Sequence, residues 1–427
     1  MCFKVFKNTV LLLVLVCISC GNKVKQEDVD SKLNEQVHNE ILNPPEILEQ
    51  DEKSIIVGAN RTEVYLPLLQ RKRVGIVANQ TSVIFRKEKP NTESQNFTHL
   101  IDSLISLNIN IKKVFAPEHG FRGTADAGEL VKDGKDTKTG LHIYSLHGKL
   151  KKPTKAKLRN IDIMIFDIQD VGVRFYTYIS TLHYVMEACA EQNIPLIILD
   201  RPNPNGNYID GPVLEKKHSS FLGMHPIPLV HGMTLGEYAK MINGEAWLNN
   251  GVTCNVTIVE LKNYSHESFY SLPIRPSPNL PNDHSITLYP SLGLFEGTEI
   301  NAGRGTEFQF QRYGAPFLDK SHYQFSYTPI ANFGAKYPKH QNKICYGVDL
   351  SEVKPERGFT LNYIMDAYNH AIDKSKVFNK SNFTAHAGTE KLQKQIEAGL
   401  TETEIKASWQ DGLEAYNKTR SKYLIYK

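Results

Sequence analysis

The chain has 427 residues, of which 50 are Lys or Arg and 46 are Asp or Glu, for a formal net charge of +4. A charge so near neutral, with no basic run in which aromatic residues interleave, disfavours nucleic acid as a partner. Beyond a polar N-terminal stretch, roughly 370 residues remain, which is more than one hydrophobic core usually serves. We therefore expect two folded domains.

The N-terminus is typical of a bacterial export signal. Lys4 and Lys7 precede an apolar run at 10–16, which is far shorter than the ~20 residues that span a bilayer. Cys20 lies in a segment similar to the lipoprotein processing box, although Cys17 stands where leucine is usual. We expect a signal peptide at 1–20, acylation of Cys20 and an exported lipoprotein of the cell envelope, periplasmic or at the cell surface. Membrane contact would then be through the lipid anchor only; an ordinary cleaved signal peptide is the alternative.

The rest of the chain divides by composition. Residues 21–54 are rich in charged and amide side chains and lack aromatic residues, which is typical of a flexible tether. We expect a catalytic domain at 55–265. After about residue 261 the sequence becomes dense in Pro, Gly and aromatic residues, which is typical of functional loops. Residues 266–427 are expected to form a C-terminal domain that completes a cleft with the first domain.

Short runs rich in Val and Ile alternate with longer amphipathic segments in the first of these domains. Such alternation predicts an α/β fold, in which a Rossmann-like parallel sheet is covered by helices and accompanied by a smaller α+β C-terminal domain. Helices are expected over 96–107 and 181–191. The predicted strands are 74–78, 114–116, 161–166, 196–199 and 256–259.

Polar residues follow four of these strands. In open parallel sheets ligands bind at the carboxyl ends of the strands, so these residues predict one polar cleft. They could instead be turn formers or helix caps, which accounts for Asn203 but poorly for the adjacent Glu118 and His119. The polar residues at these four edges include Asn79, Glu118, His119, Asp167, Asp170, Arg201 and Asn203.

Several cofactor and catalytic signatures are absent from the sequence. VGIVANQTS has neither a dinucleotide fingerprint nor a P-loop, and no G-x-S-x-G elbow occurs. The histidines lack HExxH spacing. Cys189, Cys254 and Cys345 are too far apart for a metal site, and they are expected to be buried, with one disulfide among them left open. No metal and no organic cofactor are expected.

Nine motifs in order carry a family resemblance: VGIVANQTS, FAPEHGFRG, DAGE, TGLHIYSLHG, FDIQDVGVRFYTYISTL, ILDRPNPNGNYIDGPVLE, PIPLVHGMTLGEYAKMINGE, IRPSPNLP and FEGTEINAGRGTEFQFQ. From about residue 74 to the C-terminus, the chain resembles the exo-acting β-N-acetylmuramidases of bacteria. The resemblance implies an active site in the cleft between the two domains and release of N-acetylmuramic acid from non-reducing ends of peptidoglycan fragments, without a cofactor. It also implies that Glu118 is catalytic.

Cleavage of a glycosidic bond needs a proton donor and usually a second group that attacks the sugar or activates water. Glu118 is the expected donor, because Pro117 and Phe121 could desolvate it and raise its pKa. The second group is left open. Its candidates are Asp167, Asp170, Glu129 and His119.

The lactyl carboxylate of muramic acid calls for a guanidinium partner. The candidates are Arg122, Arg174, Arg201, Arg275 and Arg304, each of which could equally form a structural ion pair. Tyr176, with Phe175 and Tyr178, could stack on a sugar or be buried in a helix turn. Asn79, Glu129 and Asn203 complete the expected substrate contacts.

Two other functions compete with this hypothesis. A lipid-anchored protein that binds muropeptides without cleaving them could use the same cleft. An amidase or esterase is disfavoured, because neither a nucleophile–His pair nor a zinc motif is present. The oligomeric state is left open.

Overall fold

The computed structural model describes residues 54–86, 96–123, 133–354 and 358–427. The predicted signal peptide, the lipidation site Cys20, almost all of the tether and Glu129 lie outside these ranges. Within them, no helix combines the length and apolar character needed to cross a bilayer.

A seven-stranded sheet forms the centre of the fold, in the order β5-β6-β4-β1-β7-β8-β9. All neighbours are parallel except β5, which pairs antiparallel with β6. The predicted parallel sheet is thus confirmed. Its strands are β1 (Val74–Ala78), β4 (Ile111–Ala116), β5 (Gly134–Lys135), β6 (His142–Ser145), β7 (Ile163–Asp167), β8 (Leu196–Leu199) and β9 (Val256–Val259); β2 (Val83–Phe85) and β3 (Phe97–His99) pair as a separate antiparallel ribbon.

The order of the strands creates a switch point in the sheet. The chain runs outward from β1 through β4 to β6 on one side, and from β7 through β8 to β9 on the other. The loop after β4 therefore leads away from β1 toward one edge of the sheet, and the loop after β7 leads away from β1 toward the other edge. A crevice at the carboxyl ends of the strands is the expected place for a ligand in such a sheet.

Alternate side chains of the central strands point to opposite faces of the sheet. Val77 and Phe166 belong to one hydrophobic cluster, and Ile76 and Ile165 belong to a second. Helices cover both faces, which explains why β1, β7 and β8 are buried along their whole length.

The helices are α1 (Thr62–Leu69), α2 (Leu100–Ser106), α3 (Lys155–Leu158), α4 (Tyr178–Glu191), α5 (Leu235–Gly244), α6 (Asp283–Leu292), α7 (Asn362–Asn369), α8 (Lys380–Ala387), α9 (Lys391–Glu397), α10 (Glu402–Ala407) and α11 (Gln410–Arg420). The helix predicted over 96–107 begins only at Leu100, because Phe97–His99 forms a strand and His99 caps the helix by accepting a hydrogen bond from Ile101 N at 3.3 Å. The helix predicted over 181–191 begins earlier, at Tyr178.

The later part of the chain forms a smaller α+β region. Its three-stranded antiparallel sheet has the order β10-β12-β11, with strands at Arg312–Ala315, Phe325–Tyr327 and Cys345–Asp349 for β10, β11 and β12. Phe295 and Phe383 of this region join the same hydrophobic cluster as Phe166. The predicted domain boundary near residue 265 stays a prediction.

All three cysteines in the described ranges are buried and free, so the disulfide that the sequence left open is not formed.

Candidate active site

A cavity of about 330 Å³ lies at the carboxyl edge of the parallel sheet. One part of its lining follows β4 and β7, Leu222 comes from the chain after β8, and the remainder comes from the later chain between Ser277 and His386. The lining residues are Glu118, His119, Phe175, Tyr176, Thr177, Tyr178, Leu222, Ser277, Asn279, Leu280, Tyr289, Glu296, Arg304, Phe310, Asn382 and His386.

Glu118 lies in a tight turn directly after β4. Gly120 N donates to Pro117 O at 3.1 Å, and both His119 and Gly120 have left-handed backbone conformations, with φ of 67° and 79°. Thr177 Oγ1 donates to Glu118 Oε2 at 3.0 Å. The turn and this hydrogen bond hold a half-buried carboxylate at the cavity wall.

His119 is buried beside Glu118 and anchors the turn to the later chain. Its Nε2 lies 3.2 Å from Ser277 Oγ. Because the neighbouring Glu118 is itself held by Thr177, the orientation of the turn depends on two segments that are far apart in sequence.

Glu296 is the second carboxylate of the cavity, and the sequence analysis missed it. It lies in the 3₁₀ turn Gly293–Gly297, and Arg304 Nη1 donates to its Oε1 at 3.0 Å. Both Glu118 and Glu296 contribute to raising the pKa of the buried Tyr289, after the larger effect of burial itself. The negative charges of Glu118 and Glu296 thus both reach the Tyr289 hydroxyl in the same cavity. The motif FEGTEINAGRG contains both Glu296 and Arg304, but it does not follow any of the predicted strands, so the strand-end argument did not select these residues.

Aromatic rings form much of the remaining wall. Phe175 meets Tyr289 edge to face at 5.4 Å between ring centroids, and Tyr289 meets Phe310 at 4.8 Å. Tyr176 donates its hydroxyl to Pro276 O at 2.8 Å. Burial raises the pKa of Tyr176 and of Tyr289 well above the usual value, so both are neutral phenols at physiological pH. Such rings offer flat apolar faces to a sugar.

Six of the residues considered from the sequence line this cavity: Glu118, His119, Phe175, Tyr176, Tyr178 and Arg304. Tyr178, which the sequence left between sugar stacking and burial in a helix turn, begins α4 and is fully buried. Asn79 is not part of the cavity lining and contacts it through Tyr178. Its Nδ2 donates to the Tyr178 hydroxyl at 3.0 Å, and that hydroxyl makes a longer contact of 3.4 Å with Glu118 O.

Asp167 and Arg201 do not line the cavity. Arg201 Nε and Nη2 bond the two carboxylate oxygens of Asp167 at 2.7 and 3.0 Å, and both side chains are buried. The partner of Arg201 is thus Asp167 at the end of β7, not the adjacent Asp200. This geometry makes the pair a structural ion pair, which argues against the predicted catalytic and substrate-binding roles.

Asp170 is also buried outside the cavity lining. Its Oδ2 accepts a hydrogen bond from Gly172 N at 2.7 Å and lies 3.5 Å from His231 Nε2. These contacts shape the turn after β7. They argue against Asp170 as the second catalytic group.

Arg174 is fully buried and bonds only backbone carbonyls in the described contacts. Its Nη1 donates to Pro212 O and Ile227 O at 2.8 Å, and its Nη2 donates to His386 O and Ala387 O at 3.0 and 2.7 Å. Burial lowers the pKa of this guanidinium to about 9. Arg174 thus joins the two parts of the cavity wall and is not placed to hold a substrate carboxylate.

Arg122 and Asn203 have structural partners as well. Arg122 Nη2 pairs with Asp136 Oδ2 at 2.9 Å and lies over the Phe121 ring. Asn203 Oδ1 accepts a hydrogen bond from Asn205 N at 2.9 Å, which fits the turn-forming role considered from the sequence. Neither residue belongs to the cavity lining.

Two carboxylates in an aromatic-lined cavity at the edge of an α/β sheet fit the glycoside hydrolase class, whose reaction commonly uses a pair of such groups. Comparison with known proteins specifies the family. The chain belongs to the exo-β-N-acetylmuramidase NamZ family: the sequence model of the family's N-terminal part matches residues 74–284 and that of its C-terminal part matches residues 287–426.

Individual relatives cover most of the chain. The peptidoglycan β-N-acetylmuramidase NamZ of Bacillus subtilis (strain 168) is 38% identical over 380 residues, which is 85% of this chain and 89% of the relative. A crystal structure of a DUF1343 family protein from Bacteroides fragilis NCTC 9343 has 44% identity and a TM-score of 0.78, covering 88% of this chain and 99% of that one. A second such protein from the same strain has 28% identity and a TM-score of 0.72, covering 88% and 100%.

Proposed function

We propose that this protein is an exo-β-N-acetylmuramidase, a glycoside hydrolase that cleaves the bond of the non-reducing terminal N-acetylmuramic acid in peptidoglycan fragments during cell-wall turnover and recycling. The observation that carries the proposal is the presence of Glu118 and Glu296 in one cavity. Family membership and the muramidase name of the B. subtilis relative support it.

The volume of the cavity suits an exo-acting enzyme. About 330 Å³ is near the lower end of the range for small-molecule sites, so the cavity fits a terminal sugar better than an internal stretch of glycan strand. Phe175, Tyr289 and Phe310 supply apolar ring surface along its wall.

Glu118 is the proposed general acid, which protonates the glycosidic oxygen as the bond breaks. Thr177 and the turn after β4 fix the position of its carboxyl group. Glu296 is the proposed second group, and its ion pair with Arg304 keeps it oriented in the cavity. The anomeric configuration of the released sugar, followed by NMR, distinguishes direct attack by Glu296 from activation of water by Glu296.

Arg304 is the proposed partner of the lactyl carboxylate. Of the five arginines considered from the sequence, it is the one in the described cavity lining, where it also pairs with Glu296. Arg122, Arg174, Arg201 and Arg275 are not part of that lining. A guanidinium at this position would distinguish N-acetylmuramic acid from N-acetylglucosamine, which lacks the carboxylate.

The test is hydrolysis of the disaccharide in which N-acetylmuramic acid is β-linked to N-acetylglucosamine, with the reverse-order disaccharide as a second substrate. We expect release of both sugars from the first substrate only. Glu118→Gln and Glu296→Gln should each lower kcat by at least 100-fold, while Glu299→Gln should be unaffected because Glu299 is exposed outside the cavity lining. Binding of the disaccharide without cleavage by the wild-type protein would favour the glycan-binding alternative.

We further propose that the protein is exported and attached to the membrane through a lipid on Cys20. The support is the order of basic, apolar and cysteine residues in the first 20 positions. Cys20→Ser should abolish labelling by an alkynyl fatty acid and move the protein out of the membrane fraction. Equal labelling of the variant would contradict the proposal.

A further inference from the structure

The edge of the central sheet opposite the candidate active site is strongly basic. Three segments of the chain lead into the neighbouring strands β1, β4 and β7 at this edge: residues 68–73, 105–113 and 155–162. Val74 is paired with both Ile111 and Ile163, so the three segments come together at the amino ends of these strands. We call the surface that they form the basic edge. It contains eight Lys or Arg residues and one acidic residue, Asp162.

The charge of the basic edge differs in sign from that of the remaining chain. The formal net charge of the whole chain is +4, whereas the eight cations and one carboxylate of the basic edge amount to +7. The rest of the chain therefore carries a net negative charge. Such an uneven distribution of charge indicates a surface that attracts an anionic partner.

The basic side chains of this surface divide into two groups. Some of them fix the fold of the edge: Arg73 pairs with Asp162 at 2.7 Å, and Lys113 Nζ donates to Lys157 O and Arg159 O at 2.7 and 2.8 Å. These contacts join the three segments to one another. The other group is exposed and forms no ion pair with the described residues; its members are Arg71, Lys72, Lys112, Lys155 and Arg159.

Large apolar side chains are exposed beside these cations. Leu68 lies near the end of α1, Ile105 lies near the end of α2, and Leu107 directly follows α2. Their exposed fractions are 42%, 40% and 49%. In proteins that bind membrane surfaces, such apolar side chains enter the headgroup region while neighbouring cations attract anionic lipids. A soluble polyanion would gain nothing from the apolar side chains, so their presence favours a lipid surface as the partner.

We propose that the basic edge docks on a membrane surface that contains anionic lipids. The candidate active site lies at the carboxyl ends of the same sheet, so this docking would turn its cavity away from the membrane. The export and lipid anchor proposed above would bring the protein to a membrane. The docking itself depends only on the basic edge, and it can therefore be measured without the anchor.

The test is co-sedimentation with sucrose-loaded vesicles of a chain that begins at Gly21. This chain carries no lipid, and it keeps the described contacts because the described residues begin at Ser54. We expect it to bind vesicles of phosphatidylcholine with about 30% phosphatidylglycerol, and to bind pure phosphatidylcholine at least tenfold more weakly. Raising NaCl from about 0.05 to 0.5 M should weaken the binding, because salt screens the attraction between the cations and the headgroups.

Removal of three exposed cations tests the surface itself. The triple variant Arg71→Gln, Lys72→Gln, Lys112→Gln should bind the anionic vesicles about 100-fold more weakly, at about fivefold for each charge. A matched control has the same net charge and is changed at exposed lysines of the later chain: Lys320→Gln, Lys343→Gln and Lys418→Gln. The control should bind as the wild type does. Leu107→Ser should weaken the part of the binding that persists at high salt.

Hydrolysis of the disaccharide and the Tm report whether each variant is folded. Both should match the wild type in the two triple variants, since neither set of residues lines the cavity. If the wild type binds vesicles but hydrolyses no disaccharide, the proposed enzymatic function fails while the docking proposal stands.

Three results would overturn the docking proposal. The first is equal binding of the wild type to both kinds of vesicle, or binding to neither. The second is an equal loss of binding in the two triple variants. The third is tighter binding to isolated cell-wall sacculi through the same three cations, which would assign the basic edge to an anionic wall polymer.

Discussion

The buried ion pair of Asp167 and Arg201 allows a direct test of whether Asp167 stabilises the fold or takes part in catalysis. Asp167→Asn would leave the guanidinium of Arg201 buried without its counter-ion, because both of its bonds to Asp167 are made in the interior. Removing one member of such a pair costs about 3–5 kcal/mol, since the remaining charge cannot regain its hydration. We expect the free energy of unfolding of Asp167→Asn to fall by that amount.

The assay is equilibrium unfolding in urea, followed by tryptophan fluorescence. Asp162→Asn is a matched control, because Asp162 makes an equivalent pair with Arg73 at 2.7 Å, but at the surface. Its loss should cost about 1 kcal/mol or less, since solvent screens exposed ion pairs. The double variant Asp167→Asn with Arg201→Met should recover part of the loss, because it removes the unpaired charge.

Hydrolysis by the folded fraction completes this test. If Asp167 is structural, folded Asp167→Asn retains kcat within a few-fold of the wild type. If Asp167→Asn unfolds at the same urea concentration as the wild type but no longer hydrolyses the substrate, the reasoning is refuted. Asp167 would then again be a candidate for the second catalytic group.

Three further predictions follow from other contacts. Burial raises the pKa of Asp200 from its usual value near 3.8 to about 6, so the folded state binds the proton more tightly than the unfolded state; stability should fall by about 2 kcal/mol as pH rises from 4 to 6, and thermal unfolding of Asp200→Asn should lack this decline. Tyr178→Phe deprives Asn79 Nδ2 of its acceptor and Glu118 O of a contact; we expect a loss of about 1–3 kcal/mol in urea unfolding and a lower kcat with KM little changed. Arg304→Met should weaken binding of N-acetylmuramic acid by about 10- to 100-fold in calorimetry, while binding of N-acetylglucosamine, which lacks the lactyl group, should change little.

The sheet could be predicted because its signals are local. A run such as VGIVA at 74–78 is too apolar for an exposed strand, and the polar residues that follow it fix where the strand ends. The same reasoning led to Glu118, which does lie at the cavity. The helix predicted over 96–107 was wrong at its start, because pairing of Phe97–His99 with β2 decides that segment.

The partners of charged residues could not be predicted in the same way. Arg201 has an aspartate beside it in sequence, yet it pairs with Asp167, 34 residues away, because β7 and β8 are neighbours in the sheet. Glu296 was missed for a related reason. Its place in the cavity depends on how the later chain packs over the sheet edge, which periodicity and motif spacing do not encode.

The conformation of His119 shows why the catalytic candidate depends on both parts of the chain. A left-handed residue other than glycine costs on the order of 1–3 kcal/mol, and it persists only where surrounding contacts enforce it. Ser277 supplies such a contact to His119, and Thr177 holds the adjacent Glu118. These contacts come from separate segments, because Thr177 follows β7 and Ser277 belongs to the later chain. The position of the Glu118 carboxyl group therefore depends on contacts from both parts of the cavity wall.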